Sequence, residues 1–201
     1  MKSDLFLSVR CLILLFICSF FSGCASLGHD FPKSYHFKPP EIKPSIDYDV
    51  KYFWTNRENS MVLAGFQKEI NKVFAENQLF SKYNAGTGKS DYHFSIIMRD
   101  EGDENLATIS GIITGLSLGI IPTKATDNYI LTIDVKKGDK VIKQYQYNNY
   151  MVTWFHLFLL PMAKSHSPGT MQYQIWDNML RAFLQDLDQD ILVAKSVGKG
   201  D

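Results

Sequence analysis

Residues 127–150 of this chain read DNYILTIDVKKGDKVIKQYQYNNY and have the pattern of a β-hairpin. In the first half, apolar and polar residues alternate, which is typical of a strand with one buried face. The apolar positions there are Tyr129, Leu131, Ile133 and Val135. Residues 136–140, KKGDK, predict the turn, because Gly138 can adopt the positive φ that tight hairpin turns need. Residues 141–150 then return as the partner strand, with Val141, Tyr145 and Tyr147 on one side.

An apolar run flanks each end of this hairpin. Residues 105–123, NLATISGIITGLSLGIIPT, carry no charged side chain, and in residues 150–163 only His156 can become charged. Because pairing of the two hairpin strands brings their far ends together, we expect the two runs to meet in space.

We predict that the two runs form an apolar surface. Its residues are Gly111, Ile112, Ile113, Gly115, Leu116, Leu118, Gly119, Trp154, Phe155, Leu157 and Phe158. The four-residue spacing of the glycines is similar to the small-residue faces that let apolar helices approach closely. Three interpretations stay open: one apolar end of the core, an exposed patch that contacts lipid or another protein, or joint insertion into a membrane as an oligomer. The uncharged length of the first run barely reaches the roughly 20 residues of a membrane span.

The rest of the body predicts strands and long amphipathic helices. Residues 46–54 and 92–98 alternate as strands, whereas residues 57–79 and 170–193 repeat apolar residues at helical spacing. We therefore predict an α+β fold in two layers, with an antiparallel sheet of about four strands and the two long helices on one face.

No pattern in the body predicts catalysis or a cofactor. The three cysteines, Cys11, Cys18 and Cys24, all lie near the N-terminus, so the body can form neither a disulfide nor a cysteine–metal cluster. Residues 83–90, YNAGTGKS, end like a phosphate-binding loop but lack its first glycine and follow a predicted helix rather than a strand. The sequence places no cluster of further metal-ligand residues around His156, which favours a packed or interfacial residue over a metal ligand. We predict no enzyme, and an enzyme whose site is assembled from distant residues stays the alternative.

The first 24 residues, MKSDLFLSVRCLILLFICSFFSGC, predict a cleaved export signal. Lys2 and Arg10 come before an apolar stretch of roughly ten residues, which ends in small residues and is too short for a membrane helix. Residues 21–24, FSGC, resemble the lipobox of bacterial lipoproteins, where a small residue is followed by cysteine. The resemblance implies that Cys24 is acylated and becomes the N-terminus. Ala25, where enteric lipoproteins kept in the inner membrane have Asp, implies the outer membrane.

The predicted organisation is a signal peptide over 1–23, a lipidated Cys24 with a proline-rich tether over 24–45, one α+β domain over 46–195 and a tail over 196–201. The strand–helix–strand opening of the domain loosely resembles soluble domains of small bacterial envelope lipoproteins, such as those related to the N-terminal domain of the Tol–Pal translocation protein.

Composition and resemblance together predict a function class. Basic and acidic residues are equal in number, at 21 each, so no basic excess points to nucleic acid. We predict a non-catalytic protein that is lipid-anchored in the bacterial outer membrane, faces the periplasm and serves as an interaction or assembly module. A membrane-inserting oligomeric component of an envelope or secretion complex is the alternative. The predicted partners are the membrane, through the lipid, and a second envelope protein; the oligomeric state is left open.

Overall fold

The structure, a computed structural model, describes residues 23–28, 43–86, 88–117, 119–156, 159 and 166–197. In these residues, the strands are β1 (Gly23–Leu27), β2 (Ser45–Trp54), β3 (Arg57–Glu58), β4 (Lys82–Ala85), β5 (Tyr92–Gly102), β6 (Thr123–Lys137) and β7 (Lys140–Phe155). The helices are α1 (Ser60–Asn77), α2 (Glu104–Leu116) and α3 (Pro168–Val197). The strands form one sheet in the order β1-β7-β6-β5-β2-β3, and β4 also pairs with β2.

The α+β class predicted from the sequence is confirmed, but the prediction of a four-stranded antiparallel sheet is wrong. The sheet is mixed, because β2 runs parallel to β5 on one side and parallel to β4 on the other. Along the chain, α1 lies between β2 and β5. It belongs to the crossover connection that two neighbouring parallel strands need. The described residues also contain a third helix, α2, where two had been predicted.

A tight turn leads from β2 into α1. Thr55 and Asn56 have φ angles of 44° and 66°, and two successive residues of positive φ suit the turn of a two-residue hairpin. β3 then pairs back onto the end of β2. Helix α1 begins after Asn59, whose side chain accepts hydrogen bonds from the amides of Met61 and Val62. This cap satisfies two amide groups that the first turn of a helix leaves without partners.

The predicted central hairpin is present and longer than expected. β6 and β7 are neighbours in the sheet, and Gly138, at φ 59°, and Asp139 join them. β6 begins four residues before the predicted strand, at Thr123, and β7 continues through Phe155 into the second apolar run.

The chain divides into two compact units, which we describe separately. Unit 1 comprises Met1–Gly28, Gly102–Asp127 and Tyr150–Gln172; unit 2 comprises His29–Glu101, Asn128–Asn149 and Tyr173–Asp201. The domain predicted over 46–195 thus includes segments of both units. Residues 1–22 of the predicted signal peptide, residues 198–201 of the predicted tail and residues 29–42 of the predicted tether lie outside the described residues. Helix α3 includes the first two residues of the predicted tail.

Unit 2 contains an aromatic core between the sheet and two helices. Helices α1 and α3 meet the sheet on the same face, since Phe66 of α1 and Trp176 of α3 both contact the ring of Tyr52. The rings meet edge to face, the geometry that aromatic pairs prefer; the pairs include Tyr48–Phe74, Tyr52–Phe66, Tyr52–Trp176, Phe94–Phe183 and Tyr145–Phe183.

Candidate interaction surface and lipid attachment site

In unit 1, helix α2 buries two of its hydroxyl residues against the rest of the unit, while Thr108 is exposed. Ser110 and Thr114 are buried, and Ser110 Oγ donates to the carbonyl oxygen of Lys124 at 3.1 Å. The Thr114 and Thr123 hydroxyls bond to each other, and Thr123 Oγ1 also donates to the Ser110 carbonyl at 3.3 Å. These hydrogen bonds join the side of α2 that carries Ser110 and Thr114 to the start of β6. They set the orientation of the helix about its own axis.

The apolar residues of α2 are exposed. Among the described residues, Leu116 is 85% exposed, and six other large apolar side chains of the helix and of the segment after it are 39–66% exposed. At 100° per residue, the five helical members cover about a third of the circumference. We call this set the apolar face; it consists of Leu106, Ile109, Ile112, Ile113, Leu116, Ile120 and Ile121.

The three glycines of the first run have different roles. Among the described residues, no atom lies within 4 Å of the position that a Cβ would take on Gly111 or Gly115. Gly119 is buried and has a φ of 76°, and its amide donates to the carbonyl oxygen of Thr114 at 2.7 Å. Gly119, which follows Leu116 and the C-cap Ser117, therefore has the left-handed conformation that glycine adopts most easily, and its amide bonds back to the last turn of the helix. Gly111 and Gly115 instead leave open space beside the helix.

The two apolar runs meet at the end of β7, as the hairpin prediction requires. His156 Nε2 lies 3.1 Å from the carbonyl oxygen of Ile120. The Lys124 ammonium lies 5.9 Å from the centre of the Trp154 ring, within the range of a cation–π contact. Trp154 and Tyr150 are both more than two-fifths exposed.

The predicted lipid attachment residue lies in the strand next to Trp154. β1 pairs antiparallel with β7, and the register sets Cys24 opposite Trp154. After β1, the Gly28 amide donates to the Tyr150 carbonyl oxygen at 2.8 Å. A Cβ on Gly28 would lie only 2.1 Å from carbons of the Tyr150 ring, so this close approach requires glycine.

The structure describes most, though not all, of the residues predicted to form the apolar surface. Ile112, Ile113, Leu116 and Trp154 are exposed, while Phe155 is half-buried. Leu118, Leu157 and Phe158 lie outside the described residues.

The prediction omitted several residues of the surface, which are Leu106, Ile109, Ile120, Ile121, Lys124 and Tyr150. The three-to-four-residue spacing from Leu106 to Leu116 is helical and could have identified the first two. Nothing in the sequence shows that Lys124 lies beside Trp154, because that contact depends on the pairing of distant strands.

The loop that resembles a phosphate-binding loop faces a carboxylate of the protein itself. The amide of Ser90 donates to Asp47 Oδ2 at 3.3 Å, and a Cβ on Gly88 would lie 2.6 Å from the same oxygen. Asp47 is 4% exposed. In the described residues no group of three or more His, Cys, Asp or Glu side chains is arranged to bind a metal ion.

None of the helices in the described ranges combines the length and the apolar character that crossing a membrane requires.

Near the start of the hairpin, burial raises the pKa of Asp127 above its ordinary value of 3.8.

The fold and the surface define a class: an α+β protein with a mixed sheet, one unit of which exposes an apolar helix face. No protein-family model matches the chain, and no curated protein sequence matches it significantly.

The chain is similar in structure to several solved bacterial proteins, at low sequence identity. A minor lipoprotein from Acinetobacter baumannii is 6% identical, with a TM-score of 0.46 over 75% of this chain and 95% of that one. The rare lipoprotein B from Shewanella oneidensis is 10% identical, with a TM-score of 0.42 over 74% and 98% of the two chains. A protein from Xanthomonas campestris is 8% identical, with a TM-score of 0.40 over 81% and 98%.

Proposed function

We propose that the chain is a non-catalytic lipoprotein of the bacterial cell envelope, anchored in the outer membrane through Cys24 and facing the periplasm. In this proposal unit 1 is an interaction or assembly module, and the apolar face with Trp154 and Tyr150 is its contact surface. The observation that carries the proposal is the orientation of α2, which buries Ser110 and Thr114 and exposes its large apolar residues.

That orientation is the reverse of the usual one. A helix on the surface of a soluble protein turns its apolar stripe toward the core, and large exposed apolar patches mark sites of contact with proteins or membranes. The hydroxyl bonds of Ser110 and Thr114 hold α2 in this orientation, so a rotation that buried the apolar face would break them.

The lipid attachment is supported by the residues around Cys24. The segment FSGC resembles a lipobox, and Ala25 after the cysteine supports the outer membrane. Two or three acyl chains on one cysteine give stable anchoring, whereas one myristoyl-sized chain binds only marginally and reversibly.

The test is metabolic labelling with radioactive palmitate in a Gram-negative host. We expect the wild-type chain to incorporate label and Cys24→Ala to incorporate none and to accumulate as the uncut precursor. Cys18→Ala is the matched control, because it removes a cysteine of the same predicted signal peptide and should leave labelling unchanged. Normal labelling of Cys24→Ala would show that the chain is not a lipoprotein acylated at this residue.

A further inference from the structure

We propose that the apolar face lies in the surface of the same bilayer that receives the acyl chains of Cys24, so that unit 1 rests directly on lipid. This inference rests on the proposed function, because it takes Cys24 as the attachment point of the lipid. It goes further by naming the lipid bilayer as the occupant of the face.

The first argument is the position of the anchor. Cys24 lies within β1, opposite Trp154 of β7, and the Cα atoms of directly opposed residues in antiparallel strands are about 4.5–5.5 Å apart. Residues 24–27 are thus part of the sheet, and no free linker separates the acylated residue from Trp154. Once the acyl chains enter a bilayer, Trp154 must lie close to its surface.

The second argument is that the surface near the anchor continues into the apolar face. Trp154 contacts Lys124, and Lys124 accepts the hydroxyl bond of Ser110 through its carbonyl oxygen. His156, two residues after Trp154, contacts Ile120 of the face. These contacts lie within unit 1 and lead from the register position of Cys24 to α2.

The third argument is chemical. Tryptophan is favoured at the level of the lipid headgroups, and a lysine can lay its apolar stem along such a surface while its ammonium reaches water or phosphate. The pair of Trp154 and Lys124 has this composition, and residues 105–123 contribute no charge that would have to be desolvated.

The length of α2 favours a position in the plane of the membrane surface. Its 13 residues extend about 20 Å, compared with a hydrocarbon core of about 30 Å. A short helix with one apolar stripe and one polar stripe is suited to lie at the interface with the stripe facing the acyl chains. The bonds of its hydroxyl side to β6 keep the other stripe pointed away from the sheet.

The experiment measures whether lipid or water surrounds α2 in the acylated protein. The body contains no cysteine, so Leu116→Cys introduces a single thiol for a nitroxide label once Cys24 is acylated. Met61→Cys is the matched control, since Met61 is 88% exposed and Leu116 is 85% exposed, and Met61 lies on α1 of unit 2. Both proteins are placed in vesicles of phosphatidylethanolamine and phosphatidylglycerol. Collision of the label with oxygen, which concentrates in lipid, is compared with collision with a water-soluble nickel chelate.

We expect the ratio of oxygen to nickel collisions to be severalfold higher at position 116 than at position 61. Equal ratios at the two positions, both typical of water, would overturn the inference. Low collision rates with both reagents at position 116, together with spin–spin broadening, would overturn it in favour of a second copy of the chain packed on α2. Mass spectrometry of the same sample separates the two proposals, because absence of the acyl groups contradicts the proposed function, whereas acylated protein with a water-exposed label contradicts only the inference.

Discussion

Gly111, Gly115 and Gly119 show how a single residue type can have different roles along one short segment. Gly111 and Gly115 lie in α2 with open space where a Cβ would be, whereas Gly119 follows the helix and has a positive φ. Conformational freedom is therefore needed only at Gly119, and at the other two positions glycine weakens the helix without being required by the fold of the isolated chain.

Gly111→Ala should stabilise the isolated protein, because alanine is favoured over glycine in a helix by about 0.5–1 kcal/mol. Gly119→Ala should destabilise it by about 1 kcal/mol or more, because a left-handed backbone strains a residue that has a Cβ. Urea unfolding of the two variants and the wild type measures both effects. If Gly111→Ala instead lowers the free energy of unfolding, another part of the chain packs against α2 at this glycine.

Asp177 provides a test at the level of one ionisable group. Its carboxylate accepts two hydrogen bonds from Arg181, at 2.7 and 3.0 Å, and a third from Lys72 at 3.3 Å. Burial alone would raise its pKa, but the hydrogen bonds and charges of Arg181 and Lys72 outweigh burial and lower the pKa below 3.8.

A carboxyl whose pKa is lower in the folded state stabilises the fold at any pH above its pKa in the unfolded chain, about 3.9. This contribution is lost as the pH falls through the lower folded value. Asp177→Asn should therefore reduce the free energy of unfolding by on the order of 1 kcal/mol near pH 7, and the difference from wild type should shrink below about pH 4. Asp139→Asn, in the exposed turn after β6, is the control. A difference that does not change with pH would contradict the assigned role of Asp177.

At the scale of secondary-structure elements, α1 and α2 differ in what they do with apolar residues. Helix α1 buries Phe66, Ile70, Val73 and Phe74 against the sheet, whereas α2 exposes its large apolar residues. Full burial of a leucine or isoleucine side chain is worth about 1.5–3 kcal/mol. Seven partly exposed side chains thus leave on the order of 5–10 kcal/mol that a lipid or protein contact can still provide.

Replacing one apolar side chain of each helix by alanine measures how much burial in that helix contributes to the free energy of unfolding. Phe74→Ala should lower the free energy of unfolding by about 3–5 kcal/mol, since Phe74 is 1% exposed and its ring contacts four other rings, those of Tyr48, Phe80, Tyr83 and Phe94. Leu116→Ala should change it by less than about 0.5 kcal/mol. Chemical denaturation of the isolated protein gives both values. If Leu116→Ala lowered the free energy of unfolding as much as Phe74→Ala, α2 would belong to the core.

The longer elements could be predicted because their apolar residues follow a clear period. Helix α1, predicted over 57–79, spans Ser60–Asn77, and the hairpin lies where the alternation and Gly138 indicated it. The sheet topology was predicted wrongly although the order strand–helix–strand favours a parallel pair. β1, β3 and β4 have five residues or fewer and depend on partners far away in the sequence, so no local period marks them.

The candidate surface could be predicted only in part, for a related reason. Absence of charge over 105–123 identified the segment, but a charge-free run is equally compatible with core, patch and membrane insertion. The exposure of α2 follows from the bonds that Ser110 and Thr114 make to the start of β6. Such bonds depend on tertiary structure, and hydroxyl residues in a sequence do not reveal their partners.

At the scale of the whole molecule, the proposed attachment residue Cys24 and the apolar face belong to one unit. Unit 1 joins the first residues of the described chain, helix α2 and the end of β7, although more than 100 residues separate the first of these segments from the last. In unit 1, the β1–β7 pairing thus brings the proposed lipid attachment residue, Cys24, next to Trp154 of the proposed contact surface.

The most direct measurement is photocrosslinking in intact cells, with a photoreactive residue placed at Ile112 or Leu116 and, as the control, at Met61. Our account predicts that both positions on α2 form adducts with phospholipid, detected by the mass of the crosslinked peptide, and that Met61 does not. Adducts with a protein alone would support the apolar face as a contact surface but would contradict its contact with lipid. If neither position on α2 forms any adduct, or if Met61 reacts equally, the apolar face has no specific partner in the cell and the account is wrong.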